Sequence, residues 1–557
     1  MKTNNIRLVK KLIGVLCIAN LLGLVSCSDE WDNHYIPSEA NASSLWEGII
    51  AESDLSNFAK VLKATGFDQK LSGSQTYSVF ALTNDGLSDS QADSLVSEFL
   101  KQKEAGVREN DNTVVRQFIQ NHVSMYRHPV SSLTNDSINM MNGKFEVLTS
   151  STIGDQSFVA SNQLHSNGVL FKIGRKVQYF PNIFEYLGLD SDLDSVYHFL
   201  NSFSTYEFVE SASVPGGIVD GQTIYLDSVM ILRNKLLNTL GYINNEDSTY
   251  WMLAPNNAEW TRLLNEYRPY FNYDNTVLNR DSMQETNVRL AILNGTVFSR
   301  TLNPDNAFRD SAISTVAHPY LIRKILGESP YYLYYHPFDN DGIFIGTENL
   351  VCSNGMLLKA NDFRINKRQT FYQTIKVEGE NLASQDTIID AEQPLVVRDV
   401  QSNNTFYDCI SNNAFAEIIA SNTSDDPNHF PSPTVLYSVQ GLLSNVGYDI
   451  YVVMAPAQAY DPNASEEDLL PNKVLCTLLY TNQDAKLQQR RLGISTTTPG
   501  IVDTLKVASN LKFPTCFFGL AKSNVKLRIQ SNVGRNETSI YSTNMRIDCI
   551  IFKPNEM

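Results

Sequence analysis

Histidines are the first place to look for acid–base or metal chemistry. The eight here are His34, His122, His128, His165, His198, His318, His336 and His429, and none falls in an H-E-x-x-H pattern. His122 and His128, in NHVSMYRH, stand six apart, whereas a zinc pair on one helix face needs a spacing of four. There is no G-x-S-x-G, no Walker loop and no G-x-G-x-x-G. Asp339-Asn340-Asp341-Gly342 opens like a calcium loop but has no closing Glu at the required distance, so it reads as a turn. The 60 carboxylates leave room for a glycosidase pair that only folding would bring together. The expectation is a non-catalytic chain with no metal and no cofactor. The sharpest binding feature is YYLYYHPF, Tyr331 to Phe338. In a strand Tyr332 and Tyr334 share one face and Tyr331, Leu333 and Tyr335 the other. Tyr332 and Tyr334 are therefore the candidate aromatic binding face, against the alternative of a strand buried on both sides.

The elements that would position such residues come from a long, aromatic-rich chain. Its 557 residues allow three or four domains, and 42% hydrophobic with 19% charged residues indicates a globular protein. A net charge of −16 without a Lys/Arg stripe excludes nucleic acid as a partner. Cys352, Cys409, Cys476, Cys516 and Cys549 contain no C-x-x-C, so they indicate neither a redox motif nor a zinc knuckle.

One stretch is written twice. SLWEGIIAESDLSNFAKVL, from Ser44 to Leu62, aligns without gaps on NIFEYLGLDSDLDSVYHFL, from Asn182 to Leu200. Ser44 with Glu47, and Asn182 with Glu185, fit capping boxes. Asp54 and Asp192 are the expected caps of a second helix in each copy, with Gly66 a stop in the first. The echo continues with TYSVFALTNDGL (Thr76–Leu87) against TYWMLAPNNAEW (Thr249–Trp260), each a strand breaking at a turn. It ends with Ser166-Asn167-Gly168 against Ser353-Asn354-Gly355, each an Asn-Gly hairpin signal between apolar runs. The offset between copies widens along the chain, so the second carries insertions. VPGGIVDGQTIYLDSV reads as an added hairpin there.

These three elements, in order and in duplicate, resemble the fasciclin-like domain. Val79-Phe80-Ala81, Thr83-Asn84 and Ser166-Asn167-Gly168-Val169-Leu170 carry the match in the first copy; Ala254-Pro255 and Asn256 carry it in the second. The resemblance implies a wedge of β-sheet with small helices, no catalytic centre, and a role in adhesion. Some members engage a partner through a mid-domain Tyr-His pair. The matching stretch here is Asn121-His122-Val123, without the Tyr, and the second copy has Leu293-Asn294-Gly295, so no known partner carries over.

The N-terminus carries an address. Lys2, Arg7, Lys10 and Lys11 precede an apolar run from Leu12 to Val25 that is too short to span a bilayer and has the flanks of an export signal. The run closes in Leu24-Val25-Ser26-Cys27, which resembles the lipobox of bacterial lipoproteins. That resemblance implies acylation of Cys27 and an outer-membrane lipid partner held by two or three chains. Ser28, Asp29 and Glu30 resemble the signal that sends Bacteroides-type lipoproteins to the cell surface.

Beyond about Gln373 the echo stops. VLYSVQGLL, YDIYVVMAP, VLCTLLYTN, KLRIQS and MRIDCIIFKP read as strands separated by Asn, Ser and Pro turns, which points to a jelly-roll-like sandwich. The expected fold is α+β. It has a signal peptide over 1–26, a tether over 27–41, fasciclin-like domains over 42–180 and 181–375, and an all-β sandwich over 376–557. The expected function is non-catalytic adhesion or binding of an extracellular protein or glycan at the outer membrane. The alternative is a glycan-capture accessory of a SusC/SusD-type polysaccharide uptake system, with the sandwich as the sugar-binding part.

Overall fold

Ser44 and Glu47 satisfy each other's backbone N–H groups, and this capping box starts α1 at Leu45–Ala51. The computed structural model describes residues 43–555 apart from 211–213, 220–221, 228–229, 318–330, 393–395, 422–427, 467 and 521–522. Cys27, Ser28, Asp29 and Glu30 lie outside the described residues. The chain divides into two compact units between Phe180 and Pro181. Among the described residues no helix is long and apolar enough to cross a membrane.

In the first unit α1 is followed by α2 at Ser56–Thr65, which ends at Gly66 with φ +79°. That left-handed stop costs a glycine little. The strands are β1 (Tyr77–Leu82), β2 (Val123–Met125), β3 (Asn135–Asn139), β4 (Phe145–Thr149), β5 (Thr152–Ile153), β6 (Gln156–His165) and β7 (Gly168–Ile173). They form one sheet in the order β2-β1-β7-β6-β5-β4-β3. β1 runs parallel to β7, with Tyr77 opposite Gly168, and antiparallel to β2. Phe80 and Phe171 stack at 5.0 Å in the core beneath.

The second unit begins with the same plan. Asn182 and Glu185 form the capping box of α3 (Ile183–Leu189), and α4 follows at Asp194–Asn201. An insertion adds β8 (Ser204–Phe208), β9 (Val214–Val219), β10 (Gln222–Asp227) and β11 (Met230–Asn234); β9 and β10 pair as the expected hairpin. The module's sheet then uses β12 (Tyr250–Pro255), β13 (Val297–Ser299), β16 (Thr347–Cys352) and β17 (Gly355–Ala360) in the order β13-β12-β17-β16. Here too β12 is parallel to β17, with Tyr250 opposite Gly355, and antiparallel to β13. The two modules share this four-stranded centre. β14 (Ser311–Ala317) and β15 (Tyr331–Tyr335) make a separate antiparallel pair.

Side chains repeat as faithfully as strands. Asn167 Oδ1 accepts from the Leu45 N–H at 2.7 Å, and its amide donates to the Leu71 and Gly73 carbonyls. Asn354 does the same for the Ile183 N–H and the Ile243 and Asn245 carbonyls. Lys172 pairs with Glu52 as Lys359 pairs with Asp190, each at 2.9 Å. The expected helix caps differ. Neither Asp54 nor Asp192 caps; a turn asparagine does so from across the module. Asn84 Oδ1 accepts from the Asn57 N–H, and Asn257 Oδ1 from the Ser195 N–H. Asp54 instead puts its carboxylate on Lys172. A helix preceded by a tight corner has no room for its own cap, and an amide from the strand-turn fills the place.

Ile375 opens the sandwich, with β18 (Ile375–Glu378), β19 (Gln385–Ile389), β20 (Val396–Asp399), β21 (Ala414–Ile418) and β22 (Thr434–Ser438). Its other strands are β23 (Gly447–Met454), β24 (Lys473–Thr481), β25 (Leu487–Thr496), β26 (Asp503–Lys512), β27 (Lys526–Ser531) and β28 (Met545–Pro554). One sheet runs β20-β21-β28-β23-β26, with β18 also on β28; the other runs β19-β22-β27-β24-β25. Val435, Tyr437, Val474, Cys476, Leu527 and Ile529 from the second sheet share a core with Ile450, Val452, Ile550 and Phe552 from the first. That core continues into the second module through Phe271, Phe371 and Phe513. The overall class is a mixed α+β chain with a sandwich-like terminal part.

Candidate functional site

The sequence placed its binding face on Tyr332 and Tyr334, and the structure corrects this. Tyr332 is 4% and Tyr334 1% exposed, both within the core of the second module. Tyr334 packs edge-on to Phe298, and its hydroxyl is buried with no hydrogen-bond partner. The alternation was read correctly and the sides were exchanged: the other face carries Tyr335, which is 70% exposed. β14 pairs with this strand at Ala312 and Ile313 and ties the Tyr334 face inward. Asp339 to Gly342 form a turn, with the Gly342 N–H donating to the Asp339 carbonyl at 2.7 Å.

The histidines are structural where they are deepest. His122 Nε2 accepts from the Val177 N–H, and Nδ1 lies 2.6 Å from the Phe118 carbonyl oxygen. Burial brings its pKa down to about 4, so the ring is neutral at pH 7. His128 meets the Met125 carbonyl and shares no site with it. Among the described residues the five cysteines are free thiols, Cys409 alone being exposed.

Folding does gather one donor set that spacing hid. Glu378 on β18 lies across from Cys549 on β28, and the ligand atoms of Glu378, Asp548 and Cys549 fall within 4.8 Å of one another. Burial raises the Asp548 carboxyl to about 7 and pushes the Cys549 thiol well above its usual range. At neutral pH the Cys549 thiol keeps its proton and the Asp548 carboxyl is only partly ionised, and Asp548 is too buried for a substrate to reach. The set therefore does not offer a catalytic carboxylate pair.

One concavity with fixed polar groups is on the sandwich; it is small, about 20 Å³. β28 places Arg546 beside Glu417 of β21, and Arg546 Nε donates to Glu417 Oε1 at 2.9 Å. The second Glu417 oxygen accepts from Arg398 of β20 at 2.7 Å. The Arg546 fork reaches Asp468 at 3.2 Å. Arg546 is 7% exposed at its side chain, and its charge and that of Arg398 are balanced by Glu417 and Asp468. Over this chain lies a cleft walled by Pro456, Gln458, Asn472, Thr497, Thr498 and Ile501. Gln458 Oε1 is buried there without a hydrogen-bond partner. Tyr460, half-exposed, lies with its ring 4.3 Å from the Arg398 guanidinium. Sequence reading missed this group because its members are spread from Arg398 to Arg546, and only β20-β21-β28 pairing joins them.

The geometry defines a sandwich-like domain with a charge-balanced polar cleft. Comparisons add little: no model of a protein family and no curated protein matches the chain. One solved structure that resembles it is the FAS1 domain pair of the insect cell adhesion molecule fasciclin I. It shows 10% identity over 58% of this chain and 97% of that one, with a TM-score of 0.18. A second is the CBM22-1–GH10 module pair of Clostridium thermocellum xylanase 10B complexed with xylohexaose. It shows 10% identity over 30% of this chain and 26% of that one, with a TM-score of 0.19. A third is the C-terminal family 22 carbohydrate-binding module of the same xylanase, with 9% identity over 33% and 94% and a TM-score of 0.20. Likenesses this weak carry no argument.

Proposed function

We propose that the protein is a non-catalytic binding lipoprotein, anchored through acylated Cys27 at the outer membrane, that holds an uncharged glycan on the sandwich surface around this small cleft. The observation that carries this reading is the buried Arg546, fixed by Glu417 and Asp468 at the cleft floor. A guanidinium already neutralised has no call for an anion. It serves as a rigid framework that keeps polar walls in place, and such preorganisation lowers the entropic cost of binding a hydroxyl-rich ligand. Tyr460, outside the cleft lining and backed by Arg398, offers the apolar ring face on which a sugar would stack. In the sequence the duplicated modules lie between Cys27 and the sandwich, and an adhesive contact by them would add through avidity in the membrane plane.

A panel of neutral oligosaccharides, including xylo-, gluco- and manno-hexaoses, titrated by calorimetry into the full chain tests this. At least one should bind and remain uncleaved. Tyr460→Ala should weaken it about tenfold or more with an unchanged melting temperature. No binding across the panel, or equal binding by the variant, would remove the reading.

A further inference from the structure

The outward side of the other sheet carries a different chemistry. Its core-facing rows are Val435, Tyr437, Val474, Cys476, Leu478, Leu527 and Ile529, so by alternation Leu436, Arg528, Thr477 and Arg491 form one outward row. Cross-strand register confirms the row: Leu436 lies opposite Arg528, Arg528 opposite Thr477, and Thr477 opposite Arg491. Thr477, though on the outward side, is 1% exposed. The rows above and below add Leu475 with Ile494, and Leu479 with Lys526.

Among the described residues neither Arg491 nor Arg528 forms an ion pair, and Arg528 Nε is buried without a partner. Lys526 on the same face is already held by Asp386 at 2.7 Å. Two unanswered guanidinium groups on one sheet face, Arg528 on the central strand and Arg491 on the edge strand, stand out in a protein of net charge −16. An unpaired donor that is partly removed from water is costly unless something supplies acceptors. Guanidinium forks match carboxylate geometry.

We infer that this face is a second binding surface, separate from the Arg546 cleft, for an acidic polysaccharide bearing uronic carboxylates. Arg528 and Arg491 are separated by one strand, which sets them about 10 Å apart. An extended acidic peptide repeats its same-side carboxylates at about 7 Å and fits this spacing poorly. A 1,4-linked uronan turns successive sugars over, so every second carboxylate faces the same way at a repeat close to the arginine spacing. Leu436 beyond Arg528, and Leu475 with Ile494 in the neighbouring row, offer apolar surface beside the arginines for the C–H faces of sugar rings. The face carries no aromatic side chain in these rows, which argues against a neutral glycan held by stacking alone.

The test uses the full chain and immobilised polygalacturonate, with polyglutamate and dextran as comparisons. The chain should be retained on polygalacturonate at low salt, elute as salt rises, and ignore dextran. The double variant Arg491→Gln, Arg528→Gln should weaken retention at least tenfold. Arg491→Glu alone, on the exposed edge strand, should do the same and keeps the test valid if the double variant melts early. Tyr460→Ala should leave retention unchanged, which separates this surface from the cleft. Absent retention, retention unaffected by Arg491→Glu in a folded protein, or equal retention on polyglutamate would overturn the assignment.

Discussion

Asn167 and Asn354 show what a single residue does in this fold. Each is buried, and each spends its amide on a helix start and on two loop carbonyls. Asn167→Ala would strand the Leu45 N–H away from water, at a cost of about 2–3 kcal/mol; denaturant melts of the first unit should show it. The glycine that follows is as constrained, because a Cβ on Gly168 would collide with the Tyr77 carbonyl across the parallel pair. Asp548 works in the opposite sense. Burial raises its carboxyl to about 7, with Glu378 and Glu380 opposing ionisation and Lys376 favouring it. A carboxyl whose folded pKa exceeds its unfolded value stabilises the fold in acid and loses that contribution as pH climbs from about 4 through about 7. Asp548→Asn keeps an oxygen for the Ser411 N–H and cannot ionise. Its melting temperature should therefore match the parent near pH 4 and exceed it at pH 8. A gap that shrinks with rising pH would contradict the burial account.

At the scale of elements, the sequence was most informative where local rules and packing agree. Capping boxes at Ser44 and Asn182, the Gly66 stop and the Asn-Gly hairpins appear as read because each is a contract between near neighbours. The caps assigned to Asp54 and Asp192 were wrong because Asn84 and Asn257 arrive from elsewhere in the chain. Alternation over Tyr331 to Tyr335 named two faces, yet it carries no information on which one meets the core. The cleft was invisible for a related reason: no spacing rule links Arg398, Glu417, Asp468 and Arg546. The inverted strand gives a direct prediction. Tyr334 has a buried hydroxyl without a partner, so Tyr334→Phe should leave stability unchanged or raise it by about 1 kcal/mol. A ligand face would instead lose affinity on the same change, with stability unmoved.

For the molecule as a whole, the repeat suggests two modules and a separate sandwich, but packing divides the chain into only two units. The second module does not stand apart from the sandwich. Ser444 N–H donates to the Tyr270 carbonyl, its hydroxyl donates to the Pro269 carbonyl and accepts from the Asn272 N–H, and the Cys516 N–H meets the Asn272 carbonyl. Phe271 is fully buried in this seam, 5.6 Å from Phe518 and 5.4 Å from Phe371. A seam with hydrogen-bonded backbone and a continuous apolar core transmits unfolding from one side to the other. The first unit has its own core. Calorimetry of the full chain should accordingly resolve two transitions, one for residues before Phe180 and one for everything after. Phe271→Ala removes a large side chain from the seam, and such cavities cost about 3–5 kcal/mol. It should lower the second transition as a single event and leave the first in place. If the sandwich instead melted separately from the second module in that variant, the shared core would not be what holds them together, and the cleft would belong to an independent domain.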